Sequence, residues 1–215
     1  MHKIITIDGP AGVGKGTICK LLSKSLDAPV LNSGEIYRSI AHDIKENHIN
    51  PEDVASVITH VKNYIYIKKS SKKLYNKSID LISSQISSIP ELRKLTVKIQ
   101  RNFTKLNSCA SKLLIAEGRD MGTVIFPKAE IKIFLWAKAE IRAQRRYLQV
   151  KKVRKSNKFD EILKEIEIRD MRDMTRKAAP LQPAEDSYLI DNSNLDIEQC
   201  FNKILKIIKK KLKQQ

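Results

Sequence analysis

Glycine is scarce in this chain and falls in three places. Only seven occur in 215 residues: Gly9, Gly12, Gly14 and Gly16 in one run, Gly34 after Asn32-Ser33, and Gly118 with Gly122. Glycine permits positive φ and close approach of the backbone to a ligand. A chain this sparing with it marks those places as sites rather than chance turns. The densest run reads Gly9-Pro10-Ala11-Gly12-Val13-Gly14-Lys15-Gly16-Thr17. Before it lies Lys3-Ile4-Ile5-Thr6-Ile7-Asp8, a β-branched strand, and after it Ile18, Leu21, Leu22 and Leu26 follow helical spacing. Strand, glycine loop and helix in that order restrict the fold to the α/β class and give the context in which such a loop binds phosphate. Successive backbone N–H groups and the helix N-terminus would face the phosphates. Lys15 would reach the β- and γ-phosphates of ATP, and the Thr17 hydroxyl would help hold Mg²⁺, directly or through water. Gly16 stands where the strict G-x-x-x-x-G-K-[ST] pattern has Ser or Thr.

Composition bounds the rest. With 41% hydrophobic and 30% charged residues the chain is globular, and its length suits one domain with a small insertion. Its longest uncharged stretches, such as 81–90, fall well short of the ~20 residues a membrane helix needs, and no apolar signal segment follows Met1. Cys19, Cys109 and Cys200 are odd in number and scattered, which fits a reducing compartment. These features point to a cytoplasmic protein that uses no membrane. A formal charge of +17 implies an anionic partner without saying which. Much of it is lysine on solvated helix faces: Ile197, Phe201, Ile204, Leu205, Ile208 and Leu212 form an apolar stripe, with Lys203, Lys206 and Lys209 among the residues outside it. A terminal helix docked on the core is the expectation.

Hydrophobic runs alternate with helical stretches, which predicts a parallel sheet with helices on both faces. The strands are expected at 3–7, 29–31, 113–116, 131–136 and 188–190. Ligands bind at the carboxyl ends of such strands. The alternation at 63–69 and the stretch 74–79 read as a short antiparallel ribbon, so residues of about 60–80 are expected to form an insertion. The basic stretch 151–158 links two helices and is expected to serve as a lid. Two helical stretches carry arginine on one face: Arg142, Arg145, Arg146 and Gln149 in the first, Arg169, Arg172, Asp173 and Arg176 in the second. Arginine suits phosphate and base edges. A solvated basic face, partnered by Glu165, Glu167 and Asp170, is the alternative.

Taken together, the chain resembles bacterial-type cytidylate kinases, CMP/dCMP kinases of the nucleoside monophosphate kinase group with a P-loop NTPase fold. The residues carrying the match are Ile7 through Thr17 (including the Gly-Lys-Gly-Thr variant of the loop), Asn32-Ser33-Gly34-Glu35-Ile36-Tyr37-Arg38, and Gly118-Arg119-Asp120-Met121-Gly122-Thr123-Val124-Ile125-Phe126-Pro127. Lys132-Ile133-Phe134-Leu135, Arg169-Asp170, Arg172-Asp173 and Ala179-Pro180-Leu181 extend it over nearly the whole chain. The resemblance implies a single domain over 1–215, with a five-stranded parallel core at 1–59 and 81–215. It also implies a small NMP-binding insertion at about 60–80 and a lid at about 150–160. It implies a kinase, a transferase of pyrimidine metabolism that moves the γ-phosphoryl group of ATP to CMP or dCMP with Mg²⁺. It further implies a monomer with no specific nucleic-acid partner.

The resemblance also distributes roles. Gly9, Pro10, Ala11, Gly12, Val13, Gly14, Lys15, Gly16 and Thr17 would bind ATP. Ser33, Tyr37 and Arg38 would meet the acceptor nucleotide, Arg38 at its phosphate, with Arg119 as a second phosphate clamp. Ser84, Arg93, Asp120 and Arg176 would surround cytosine, and Arg169 with Asp173 would contact the sugar. Lys15, Arg119, Arg169 and Arg176 are the expected catalytic set, and Thr17 and Glu117 the candidates for the metal. Base chemistry agrees: cytosine offers an N4 amino donor with N3 and O2 acceptors, so a carboxylate beside arginine is complementary. UMP reverses those edges. The chain departs from the family at Asn32, where Asp is usual, in a short insertion, and in its basic lid.

Two rival classes have weaker support in the sequence. Asn157-Lys158-Phe159-Asp160 spells N-K-x-D, the guanine-recognition pattern of GTP switches, but no apolar strand precedes it and no D-x-x-G accompanies it. A nucleic-acid binder fits the charge, yet no aromatic-basic stacking pattern occurs. His2, His42, His48 and His60 lack metal-ligand company.

Overall fold

The computed structural model describes residues 3–62, 64, 71–106, 112–151 and 158–213. The chain begins with β1 (Lys3–Asp8), α1 (Lys15–Leu26), β2 (Val30–Asn32), α2 (Ser33–Glu46) and α3 (Val54–Val61). It continues through α4 (Ser71–Leu74), α5 (Lys77–Ile86), α6 (Pro90–Leu106) and β3 (Leu113–Gly118), and then makes one π-helical turn over Met121–Ile125. It closes with β4 (Ile131–Trp136), α7 (Ala139–Lys151), α8 (Phe159–Thr175), β5 (Tyr188–Asp191) and α9 (Ile197–Lys213). All five expected strands form, to within about a residue at their starts.

The strands make one sheet in the order β2-β3-β1-β4-β5, and every pair is parallel. The chain leaves β1 towards β2 on one side and reaches β4 on the other, so the crevice opens at the carboxyl end of β1. Register aligns the functional ends: Asn32 lies opposite Glu117 and Asp8 opposite Gly118. Alternating side chains bury both faces. On one face Leu31, Leu114 and Ala116 pack with Ile36, Ile40 and Leu92. On the other, Ile5, Ile7, Ile133 and Leu135 pack with Ile18 and Leu22 of α1 and Ile204 and Ile208 of α9. The apolar stripe of the terminal helix is therefore docked, as its spacing predicts. The sheet, its flanking helices and the glycine loop after β1 together are a P-loop NTPase fold. Among the described residues no helix is long and apolar enough to cross a membrane.

One expectation is corrected. Of the antiparallel ribbon expected over 63–69 and 74–79, the first arm lies almost wholly outside the described residues, and the second is helical. Asn76 caps α5, its side chain accepting from the Ile79 N–H at 3.1 Å, and Asp80 sits in the first turn. With Ile79, Ser83 and Ile86 buried at i, i+4 and i+7, the stretch has a helical face. The expected lid falls mainly on residues 152–157, outside the described residues.

A candidate nucleotide site at the strand ends

The loop after β1 turns through three left-handed glycines, with φ 149° at Gly9, 74° at Gly12 and 99° at Gly14. At Gly9 the constraint is also steric, since a Cβ there would stand 2.2 Å from the Leu135 carbonyl oxygen. Gly14 caps α1, so the N–H groups of the first turn open towards the loop. Lys15 folds over that loop, its Nζ donating to the Gly9 and Pro10 carbonyls at 2.8 Å each. Burial, then the Arg119 charge, push this ammonium well below the ordinary lysine value, against the pull of Glu117 and Asp8. A polyphosphate would restore what burial removes.

Two side chains hold the loop, and a third braces one of them. Arg142 of α7 is buried and donates to the Ala137 carbonyl at 2.8 Å and the Ala11 carbonyl at 3.1 Å, while pairing with Asp170 at 2.5 Å. Asn192, just after β5, donates to the Val13 carbonyl at 2.8 Å. Arg145 braces Asn192, reaching its Oδ1 at 3.0 Å and its carbonyl at 2.7 Å. The first arginine set is thus scaffold at Arg142 and Arg145, and Arg146 turns to Asp80. Asp8 ties β1 to the π-helical turn, accepting from the Met121 and Gly122 N–H groups at 2.9 and 2.8 Å. Burial pushes its carboxyl up to about 7, although these two N–H groups oppose the rise. Sequence reading missed Asp8 and Asn192; their position at strand ends beside the loop was the available signal.

Opposite the loop lies an alternating cluster of arginine and aspartate. Arg93 donates to the buried Asp120 at 2.5 Å and to the Ser87 carbonyl at 2.9 Å. Arg176 lies 3.9 Å from Asp120 and 3.6 Å from Asp173, and its Nε donates to the Ala179 carbonyl at 2.7 Å. Arg119 Nε donates to Asp173 at 2.9 Å. Burial alone would raise the Asp173 carboxyl, but Arg119, Arg169 and Arg176 outweigh it and hold it below the usual range. Arg169 is pulled down to about 10 by burial and by Arg119. Arg169 Nε and Arg176 Nη2 are buried without a hydrogen-bond partner, Arg176 Nη2 lying at the longer ion-pair distance of 3.9 Å from Asp120.

Around this cluster, α2 and α6 complete the cleft. Ser33 opens α2 buried, accepting from Gln100 Nε2 at 2.8 Å, and the Tyr37 hydroxyl meets Thr96 Oγ1 at 2.8 Å. Arg93 lies 5.8 Å from the Tyr37 ring. Ser84 is buried and accepts from Arg172 at 2.8 Å. Arg38 is held by Asp80. The second arginine set divides: Arg169, Asp173 and Arg176 face the cluster, while the exposed Arg172 bridges to α5. Of the guanine-like tetrapeptide, Lys158 is the N-cap of α8 and Phe159 and Asp160 open it, and Asn157 lies outside the described residues.

The metal candidates are few. Thr17 is exposed in the first turn of α1, and the Glu117 carboxylate oxygens lie 3.7 Å from where a Gly16 Cβ would be. Burial raises the Glu117 carboxyl, with Lys15 and Arg119 opposing. The Asn32 side chain is committed as the cap of α2, accepting from the Glu35 N–H at 3.2 Å. Among the described residues no group of three His, Cys, Asp or Glu could hold a metal. Such a donor set fits Mg²⁺ carried in on phosphates, with water completing its shell.

The fold and this cleft define a P-loop phosphotransferase. The cytidylate kinase family model matches residues 5–210, so the chain belongs to the cytidylate kinase family. It is 39% identical to the cytidylate kinase of an Enterobacter species over 97% of this chain and 96% of that one. It is equally 39% identical to the cytidylate kinase of Caldicellulosiruptor saccharolyticus, over 98% and 97%. An uncharacterized protein from Eubacterium ventriosum shares the fold, with a TM-score of 0.54 and 16% identity over 98% of this chain and 99% of that one.

Proposed function

We propose that the chain transfers the γ-phosphoryl group of ATP to CMP or dCMP, giving ADP and CDP or dCDP. The observation that carries this reading is Asp120, buried and held by Arg93, with Arg176 beside it. A fixed carboxylate accepts from the cytosine N4 amino group, and the arginines donate to N3 and O2. UMP would set an acceptor against Asp120, and mismatched buried polar groups cost orders of magnitude in specificity.

On this reading Gly9 through Thr17 bind the ATP phosphates. Arg38 and Arg119 take the acceptor phosphate, and Ser33, Tyr37, Ser84, Arg93, Asp120, Asp173 and Arg176 line the nucleoside. Lys15, Arg119, Arg169 and Arg176 form the catalytic set: the Arg169 Nε donor, buried without a hydrogen-bond partner, suits charge spreading over the transferred group. The acceptor phosphate oxygen is already anionic, so no enzymic nucleophile is needed and catalysis is positioning with charge neutralisation. Thr17, with Glu117 through water, would hold Mg²⁺, which when bound neutralises phosphate charge. Residues of about 60–80 serve as the acceptor-side insertion and about 150–160 as the lid of a single domain. We place the enzyme in the cytoplasm as a monomer without a nucleic-acid partner.

The test is ADP release from Mg-ATP with CMP, dCMP, UMP, AMP or no acceptor. ADP formed with CMP and dCMP alone supports the reading. Acceptor-independent release, or none, overturns it. Asp120→Asn should lower the CMP-over-UMP preference by about tenfold or more.

A further inference from the structure

Asp80 is a carboxylate that the sequence patterns did not single out, yet it sits between two arginines of the cleft. Its Oδ1 accepts from Arg38 Nε at 3.0 Å and from Arg38 Nη2 at 2.8 Å, and its Oδ2 lies 3.5 Å from Arg146 Nη2. The face of the Arg38 guanidinium is covered by Tyr75, whose ring centre is 4.7 Å from Cζ, and the Tyr75 hydroxyl donates to Glu35 Oε1 at 3.3 Å. Beneath, Arg38 Nη1 lies 2.9 Å from the point a Gly34 Cβ would occupy. One edge and one face of the guanidinium are therefore fixed, and Nη1 is left lying along the first turn of α2 beside Gly34.

We propose that Asp80 is the positioning residue for Arg38, orienting its Nη1 towards the acceptor phosphate, with Tyr75 closing the exposed face. This rests on the CMP kinase reading above. A long arginine side chain loses rotamer freedom when it grips a ligand, and a guanidinium held in place beforehand has less to lose. The carboxylate does not cancel the field, because Arg38, Asp80 and Arg146 together remain cationic. The opposite role, a carboxylate that occupies the clamp and must be displaced, predicts the reverse kinetics.

The test uses the full chain with Mg-ATP, comparing native, Asp80→Asn, Arg38→Ala and the double variant. Asp80→Asn should raise the KM for CMP about tenfold while leaving the KM for ATP and inhibition by cytidine, which lacks the phosphate, unchanged. In the Arg38→Ala background the same change should add little, since the two act as one unit. Equal loss for CMP and cytidine, a fall in the KM for CMP, or full additivity in the double variant overturns the proposal. No CMP-dependent ADP release by the native chain overturns it together with the functional reading, whereas native activity beside an unaltered Asp80→Asn variant overturns this proposal alone.

Discussion

Asp8 shows how a single side chain can join distant segments while its role stays hidden. Its partners Met121 and Gly122 are 113 and 114 residues away, so no local pattern joins them. The glycines of the loop are legible by contrast, because their constraint is local: positive φ at Gly9, Gly12 and Gly14. Arg93 and Asp120, assigned to one base by resemblance, do meet. A pH prediction belongs at this scale. Burial pushes the Asp8 carboxyl from 3.8 up to about 7, so the folded chain keeps the proton where the unfolded chain has released it. Raising the pH from about 4 to 7 therefore favours unfolding at this residue, by an amount on the order of 4 kcal/mol at most. Asp8→Asn should remove that slope. Urea denaturation of both proteins across this range checks it, and parallel pH profiles would dismiss the effect.

At the scale of elements, the strands were readable as hydrophobic runs and the docked α9 by a helical periodicity that persists over several turns. Two readings needed three dimensions. A shared helix face did not distinguish Arg142 and Arg145, which brace the loop from behind, from Arg169 and Arg176, which face the cleft. The stretch around Asn76 was expected as the second arm of a ribbon, yet its cap and first turn settled as helix. The bracing predicts that Asn192 matters to a site it never enters. Asn192→Ala leaves the Val13 carbonyl without its donor and Arg145 Nη1 without its acceptor, while Arg145 Nη2 keeps the residue 192 carbonyl, and should cost about 1–3 kcal/mol. Because Val13 lies in the loop, the KM for ATP should rise while the preference for CMP over UMP holds. Denaturation and steady-state kinetics together check this, and an altered base preference would contradict it.

For the whole molecule, the surplus charge of +17 and the organised cleft act over different distances. The surplus attracts any anion, and composition alone could not say which. On the proposed reading fixed donors and acceptors decide among anions: Asp120 is 2% exposed, and Arg93 is 6% exposed beside it. Salt separates the two effects. The Debye length falls from about 10 Å at 0.1 M to about 3 Å at 1 M, which weakens attraction between solvated charges and leaves buried pairs little changed. Raising potassium chloride from about 0.05 to 0.5 M should therefore raise the KM values for ATP and CMP several-fold as the long-range field is screened. The ratio of kcat/KM for CMP to that for UMP should stay within about twofold, because it reflects hydrogen bonds in a desolvated pocket. Measuring both quantities over one salt series decides the matter. If the ratio collapses as the KM values rise, base discrimination depends on the solvated field rather than on Asp120 and its arginines.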